Sequence, residues 1–489
     1  MKKIIALLCL SILFLVTQSF AQQQQYCGTM GKSPWLTHYQ QHKHEYTSVR
    51  NNEVMYVPMS IFILGSNSGQ GYFPRTSLYR AICQLNIDFA EANIFFYVKG
   101  EIQYVNNSAW YNHPEFSGGA EMMNALNIEN TVNCYIVENP AGNCGYSSGW
   151  LGGIALSKGC LGPGDHTWAH EIGHDLSLPH PFIGWEGTDY NPQMPTPSEI
   201  DGQPVELLDG SNCSIAADGF CDTQADYLSY RWSCNSENLS NTVLSDPNGE
   251  EFRADGTLFM SYSLDQCSSR FSPQQIEAMR ANLQFEKQDY LNQESPLAPI
   301  ADTDTVQLIS PINDVEVPYN FVQLAWNYVP NATHYHVQVS RTSGFELIVK
   351  ESVTTDTVFN VSNILLANKN YYWRVRPTNR YDYCQTTSVR GTFKTTSEVA
   401  GINDVQETTL FTLRPNITSQ GNDIQLSLNK MMFGTISLQI ISANGVVVAS
   451  NKFASLQETY INTQKLSKGF YIVQLSINEN KYYQKLIIN

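Results

Sequence analysis

The stretch that decides the fold is "HEIGHDLSLPH", residues 170–180, with three histidines and a glutamate in eleven positions. On a helix, His170 and His174 stand four residues apart and project from one face. Glu171, beside the first of them, is placed to act as a general base. A straight helix cannot carry a third histidine to the same point. Pro179 discourages further helix, so the chain can turn and return His180. A hydrolytic zinc ion requires three protein ligands and one open position for water. A bare His-Glu-x-x-His is a weak signal, and the added histidine makes it specific. His166, one turn earlier, is read as exposed and outside the ligand set.

The 489 residues are too many for one core, so several domains are expected. The opening "MKKIIALLCLSILFLVTQSFA" has two lysines, an apolar run and a small-x-small end, which predicts a signal peptide over 1–21. Cleavage there leaves 27 basic residues against 45 acidic, a net of −18. Such a balance disfavours nucleic acid and anionic membranes as partners. No later segment is long and apolar enough to span a bilayer. Eleven cysteines become ten when Cys9 leaves, and an even count in an exported chain predicts disulfides, mostly before residue 270.

Residues 22–50 form a polar N-terminal segment, read as a propeptide. "VMYVPMSIFIL" (54–64), "IFFYVKGEI" and "NCYIVEN" predict strands, and "GGIALS" (152–157) a short one. Leu78, Ile82, Leu85 and Phe89 fall at helical spacing. This mixture predicts an α/β domain over 51–292. After a Pro-rich linker, 306–396 shows short strands with Tyr371, Trp373 and Val375 alternating inward. It resembles a fibronectin type III module, for which a spacer role is expected. Residues 412–489 are again β by pattern. Their end, with Leu466-x-x-Gly469-x-Tyr471, resembles the C-terminal sorting domain of type IX secretion, which implies that machinery as a partner and a secreted or cell-surface location.

The zinc motif resembles the metzincin pattern, with Ser177 where that class has glycine. "GTLFMSYSLDQCSSRFSPQQ" (256–275) supplies a Met-turn, and its run Met260-Ser-Tyr262-x-x-Asp265-x-Cys267 is similar to the pappalysin family. "CGT" at Cys27, "VPMSIFIL", "QLNIDF" and "DGFCDT" extend the match over most of residues 26–290. The fold class is thus a metzincin-type α/β domain followed by two all-β sandwiches. The resemblance implies a zinc endopeptidase that hydrolyses protein or peptide substrates through a zinc-activated water. His170, His174 and His180 would bind zinc, Glu171 would be the base, Met260 the floor, and Tyr262 the oxyanion donor.

It further implies disulfides Cys213–Cys234 and Cys221–Cys267, and an edge strand at "GGIALS" that pairs with substrate. Asp265 would either line the pocket beyond the cut bond, favouring Lys or Arg there, or stabilise its own loop. Cys27 would be a latency switch on the metal, although ten cysteines can all pair. Asp218, Asp222 and Asp226 could hold calcium. Serine at 177 is expected to take the positive φ of the family glycine at a cost on the order of 1 kcal/mol. The alternatives are a gluzincin, using Glu186, Glu199 or Glu206, and a surface adhesion protein with an inactive protease-like domain.

Overall fold

A computed structural model describes residues 25–50, 53–291, 296–399, 410–443, 446–478 and 480–489. The signal peptide of the sequence reading lies outside these residues. The chain divides into two compact units, residues 1–397 and 398–489.

The first unit is built on a seven-stranded sheet. Its strands are β1 (Gln25–Cys27), β2 (Met55–Gly65), β3 (Ile94–Val98), β4 (Gln103–Asn106), β5 (Val132–Val137), β6 (Asn143–Ser148) and β7 (Gly153–Ser157). They run in the order β1-β6-β7-β5-β2-β3, with β4 also on β2. β7, β5, β2, β3 and β4 are mutually parallel, and β6 returns antiparallel to β7. Such parallel strands are covered on both faces, which is why β2 reads as a near-continuous apolar run. Helix α1 is Pro34–Gln41, α2 is Arg75–Asp88 and α3 is Phe116–Leu126. α2 buries Leu78, Ile82 and Leu85 as the spacing predicts. Helix α4 (Thr167–Asp175) carries the histidine motif and is buried along its whole length. Helix α5 (Pro273–Phe285) begins with the capping box Ser272/Gln275 and Pro273 at its first turn.

Two expectations are corrected here. "GGIALS" is not the edge strand, because β6 folds back outside it as a hairpin and takes the edge beside β1. The disulfides join Cys213 to Cys221 and Cys234 to Cys267, not the expected pairs. Local turns (Ala216 N–H to Asn212 C=O, Gly219 N–H to Ala216 C=O) close the first. Trp232 pairs with the Met-turn through Tyr262 C=O and Leu264 N–H, carrying Cys234 to Cys267. Cys144–Cys160 and Cys83–Cys384 complete four bridges, leaving Cys27 and Cys134 free and buried.

The fibronectin-like segment forms β8 (Leu308–Ser310), β9 (Val315–Pro318), β10 (Phe321–Trp326), β11 (His334–Ser340), β12 (Ile348–Thr354), β13 (Val358–Ser362), β14 (Asn370–Thr378) and β15 (Gly391–Thr396). Three strands, β8-β10-β13, face five, β9-β15-β14-β11-β12. Trp326, Tyr371, Trp373, Val375 and Phe393 fill the space between them. The outer face of the larger sheet is also covered. His336 and Arg376 lie against the ring of Tyr79 on α2, Tyr381 stacks on Tyr97, and Cys384 bonds to Cys83. Val98 N–H donates to Arg380 C=O at 3.0 Å. The spacer expectation is therefore corrected, since this module is packed and cross-linked onto the α/β part.

The second unit is a six-stranded sheet of β16 (Phe411–Arg414), β17 (Ile417–Thr418), β18 (Asp423–Ser442), β19 (Val447–Asn462), β20 (Gly469–Ile477) and β21 (Asn480–Ile488). Leu466 and Tyr471 of its terminal motif are buried in its core, and Tyr471 Oη donates to Ser467 C=O at 2.8 Å.

Cross-links spanning long chain segments typically stabilise by about 2–4 kcal/mol. The paired variant Cys83→Ser/Cys384→Ser is accordingly expected to lower Tm by several degrees and to let the fibronectin-like module unfold apart from the α/β part. Calorimetry showing one unshifted transition would contradict this.

Candidate metal centre

The end of α4 sets the geometry. Ser177 has φ 76°, with Ser177 N–H bonded to His174 C=O and Leu178 N–H to Gly173 C=O, both at 2.9 Å. That is a Schellman ending with serine in the left-handed position that glycine usually holds. Asn282 Nδ2 donates to Ser177 Oγ at 3.0 Å, anchoring the turn to α5. The chain then reverses and delivers His180.

The three imidazoles converge. His174 Nε2 lies 3.1 Å from His170 Nε2 and 3.1 Å from His180 Nε2, and the remaining pair is 3.3 Å apart. Carbonyl oxygens of Phe259 and Leu178 accept from Nδ1 of His170 and His174, both at 2.7 Å. Since a carbonyl only accepts, Nδ1 carries the proton and the Nε2 lone pairs face one another. His180 Nδ1 lies 3.3 Å from the Glu186 carboxylate, which Gly184 N–H also holds at 2.7 Å. Burial, and then the charge of neighbouring imidazoles, keeps the pKa of His170 and His174 well below the usual value. Three lone pairs pressed together are repulsive unless a cation sits among them. Nitrogens about 2.0–2.1 Å from one tetrahedral zinc would lie about 3.3–3.4 Å apart, close to the spacings found. The donor set fits zinc.

Cys27 Sγ completes the group, and all four ligand atoms lie within 4.8 Å of one another. Among the described residues this is the one His/Cys/Asp/Glu cluster so arranged. The parity objection to a free Cys27 falls, because its odd partner is Cys134, sealed in the core strand β5.

Glu171 is fully buried, with Oε2 3.5 Å from Thr29 Oγ1 and Oε1 without a hydrogen-bond partner. Burial pushes its pKa up to about 8. Gly145 makes room for it, since a Cβ there would meet Glu171 Cγ at 2.7 Å. Met260 lies under the helix, and a Cβ on Gly173 would strike its Sδ at 2.4 Å. Tyr262 Oη donates to the Cys27 carbonyl at 3.2 Å, and its ring stands edge-on to His180.

Other residues play parts the sequence did not assign. His166 is only 13% exposed, contrary to expectation, because its Nδ1 pairs with Asp88 Oδ2 at 2.9 Å. Asp265 is paired with Arg231 and accepts from His166 N–H at 3.1 Å. Asp218, Asp222 and Asp226 each accept hydrogen bonds from their own surroundings. Asp222 takes Ser272 Oγ and Gln274 N–H, Asp226 takes Ser261 Oγ and Leu228 N–H, and Asp218 takes Thr223 Oγ1 and Phe220 N–H. Glu206, buried beside Asp218 and Asp226, has its pKa raised to about 9, chiefly by burial. None of these carboxylates falls in a group of three His/Cys/Asp/Glu ligand atoms within 4.8 Å of one another among the described residues. Glu186, Glu199 and Glu206, which the gluzincin alternative would use, stand outside that cluster, where His180 joins His170 and His174. Arg231 and Tyr26 belong to no short motif, so nothing in the sequence pattern marked them.

Comparison with known proteins agrees with parts of this picture. Residues 415–489 match the family described as Secretion system C-terminal sorting domain. The chain is thus a secreted or cell-surface protein carrying that domain. No described helix is long and apolar enough to cross a membrane. Mouse Pappalysin-1 is 26% identical over 228 residues, which cover 46% of this chain and 12% of that protein. The chain therefore aligns with only a small part of that relative. Among solved structures, a two-domain fibronectin type III segment of chicken tenascin is 12% identical, covering 38% of this chain and 98% of that one, with a TM-score of 0.13. The fibronectin(III)-like modules of Clostridium thermocellum CbhA are also 12% identical, covering 38% and 94%, with a TM-score of 0.15.

Ser177→Gly relieves backbone strain of about 1 kcal/mol but forfeits the bond from Asn282, worth about the same. Its Tm is expected to stay close to the parent's, while His180→Ala loses most of its zinc affinity. A large Tm drop in the first variant, or unchanged zinc content in the second, would contradict the site as described.

Proposed function

We propose that residues 26–290 form a zinc-dependent endopeptidase of the pappalysin type, within the metzincin class, made latent by its own N-terminal segment. The observation that supports it most is the convergence of three buried imidazoles, two of them held Nδ1-protonated by main-chain carbonyls, beside Glu171. The short stretch of similarity to a pappalysin supports the same reading.

His170, His174 and His180 would hold zinc, with Cys27 as a fourth donor in the latent chain. Bound there, zinc supplies Lewis acidity to the carbonyl of the scissile bond. Glu171 takes the proton from the attacking water and passes it to the leaving nitrogen. Its buried position strengthens its hold on a proton, which favours the first half of that transfer. Tyr262 already donates to one main-chain carbonyl in the cleft, that of Cys27, and in catalysis its phenol would donate to the developing oxyanion. β1 occupies the edge strand β6, so it must leave before substrate can pair there. The sorting domain would hand the folded chain to the type IX machinery as a separable address.

Glu171→Ala is expected to keep zinc and fold while losing about 10²- to 10⁴-fold or more in hydrolysis of unfolded casein. Tyr262→Phe is expected to lower kcat and leave KM nearly unchanged. Near-parent turnover in zinc-loaded Glu171→Ala protein would sink the mechanism. Failure of every preparation to cut casein would favour the adhesion alternative. Deleting residues 412–489 is expected to strand a folded protein in the periplasm, and normal surface display of the truncated chain would refute the address role.

A further inference from the structure

β1 runs parallel to the edge strand β6, with Gln25 opposite Asn143, Cys27 opposite Gly145, and Gly28 N–H bonded to Gly145 C=O at 2.9 Å. The side chain next to Cys27 is Tyr26, and it leaves the strand into a socket where it is 6% exposed. Its ring stands edge-on to His170 at 5.0 Å and to Tyr262 at 5.3 Å. The Arg231 guanidinium covers its face, 3.8 Å from the ring centroid. Asp265, Asp165 and Thr167 are the other polar groups around the phenol. An extended substrate paired antiparallel to β6 would bring the residue after its scissile bond to this socket.

The guanidinium of the socket is already paired. Arg231 is fixed by the Asp265 carboxylate and by Ser263 C=O, and the other Asp265 oxygen accepts from His166 N–H at 3.1 Å. Asp165 Oδ1 is taken by Thr167 N–H at 2.9 Å. A lysine or arginine entering here would meet a fixed guanidinium, with Asp265 already paired and Asp165 left as its counter-ion. An aromatic ring instead slides beneath the guanidinium, gaining the face contact that Tyr26 shows.

We propose that the Tyr26 socket is the specificity pocket for the residue following the scissile bond, and that Arg231 makes it select aromatic side chains over basic ones. The propeptide tyrosine is then a built-in copy of the preferred substrate residue. The proposal rests on the endopeptidase reading, and it opposes the basic preference that Asp265 implies when read alone.

Two arms test it. In the full-length chain, Tyr26→Phe, Tyr26→Lys and Tyr26→Lys/Arg231→Ala are compared by hydrogen exchange at the Gly28 amide, which needs no activity. Phenylalanine is expected to keep protection within about threefold and lysine to lose at least about tenfold, with Arg231→Ala restoring it by freeing Asp265. The first two variants leave the socket itself unaltered, so they decide the question even if Arg231→Ala does not fold. Lysine seated as firmly as tyrosine with Arg231 intact overturns the proposal. In the second arm, activated enzyme is profiled on a peptide library. Tyr or Phe after the cut is expected to exceed Lys or Arg by about tenfold or more, and a basic preference in the parent overturns the proposal. If no peptide is cut by zinc-loaded protein while the exchange results hold, the endopeptidase reading fails and the aromatic selectivity of the socket stands.

Discussion

Two main-chain carbonyls, of Phe259 and Leu178, orient the whole centre by accepting the Nδ1 protons of His170 and His174. Each comes from a segment whose path is fixed for other reasons. Phe259 belongs to the turn that seats Met260 beneath α4, where Gly173 allows contact. Leu178 follows the left-handed Ser177 and is the residue whose N–H closes the helix end. Backbone acceptors cannot rotate away, so the imidazole rings are held before any metal arrives. Such outer partners fix the tautomer and raise ligand basicity.

The same centre explains why the N-terminal segment sits where it does. β1 adds to the exposed edge β6, covers Glu171, and brings Cys27 to the histidines and its carbonyl to Tyr262. Every group assigned to chemistry is thus occupied by one short peptide. Three residues, Tyr26, Cys27 and Thr29, make those contacts, so latency in the proposed protease would be a local property that a single cut removes. The fibronectin-like module, by contrast, is fastened through Cys83–Cys384 to α2, whose Asp88 steadies His166 at the start of α4. It belongs to the scaffold behind the site.

Much of this was legible because it is local. The His170, His174, His180 spacing dictates one helical face plus one turn, and the positive φ at Ser177 follows from that turn. The capping box at Ser272 and the inward alternation of Tyr371, Trp373 and Val375 are also short-range patterns. What escaped depends on contacts distant in sequence. The edge strand "NCGYSS" has too little apolar character to be picked out beside "GGIALS". Cysteine parity misled, because Cys134 is buried where no partner reaches it. Arg374, Arg376 and His336 alternate like a solvent-facing set, yet His336 and Arg376 lie against Tyr79. Asp265 reads as a free carboxylate until Arg231, 34 residues away, is placed beside it.

The central claim is that three histidines and, in the latent chain, one cysteine share a zinc ion. X-ray absorption at the zinc edge of the full-length protein with residues 25–30 intact tests it most directly. The expected result is one zinc per chain with a shell of three imidazole nitrogens and one sulfur, the sulfur vanishing in Cys27→Ser. A shell of nitrogen and oxygen alone in the parent, or zinc that stays bound when His170, His174 and His180 are all replaced by alanine, would contradict it.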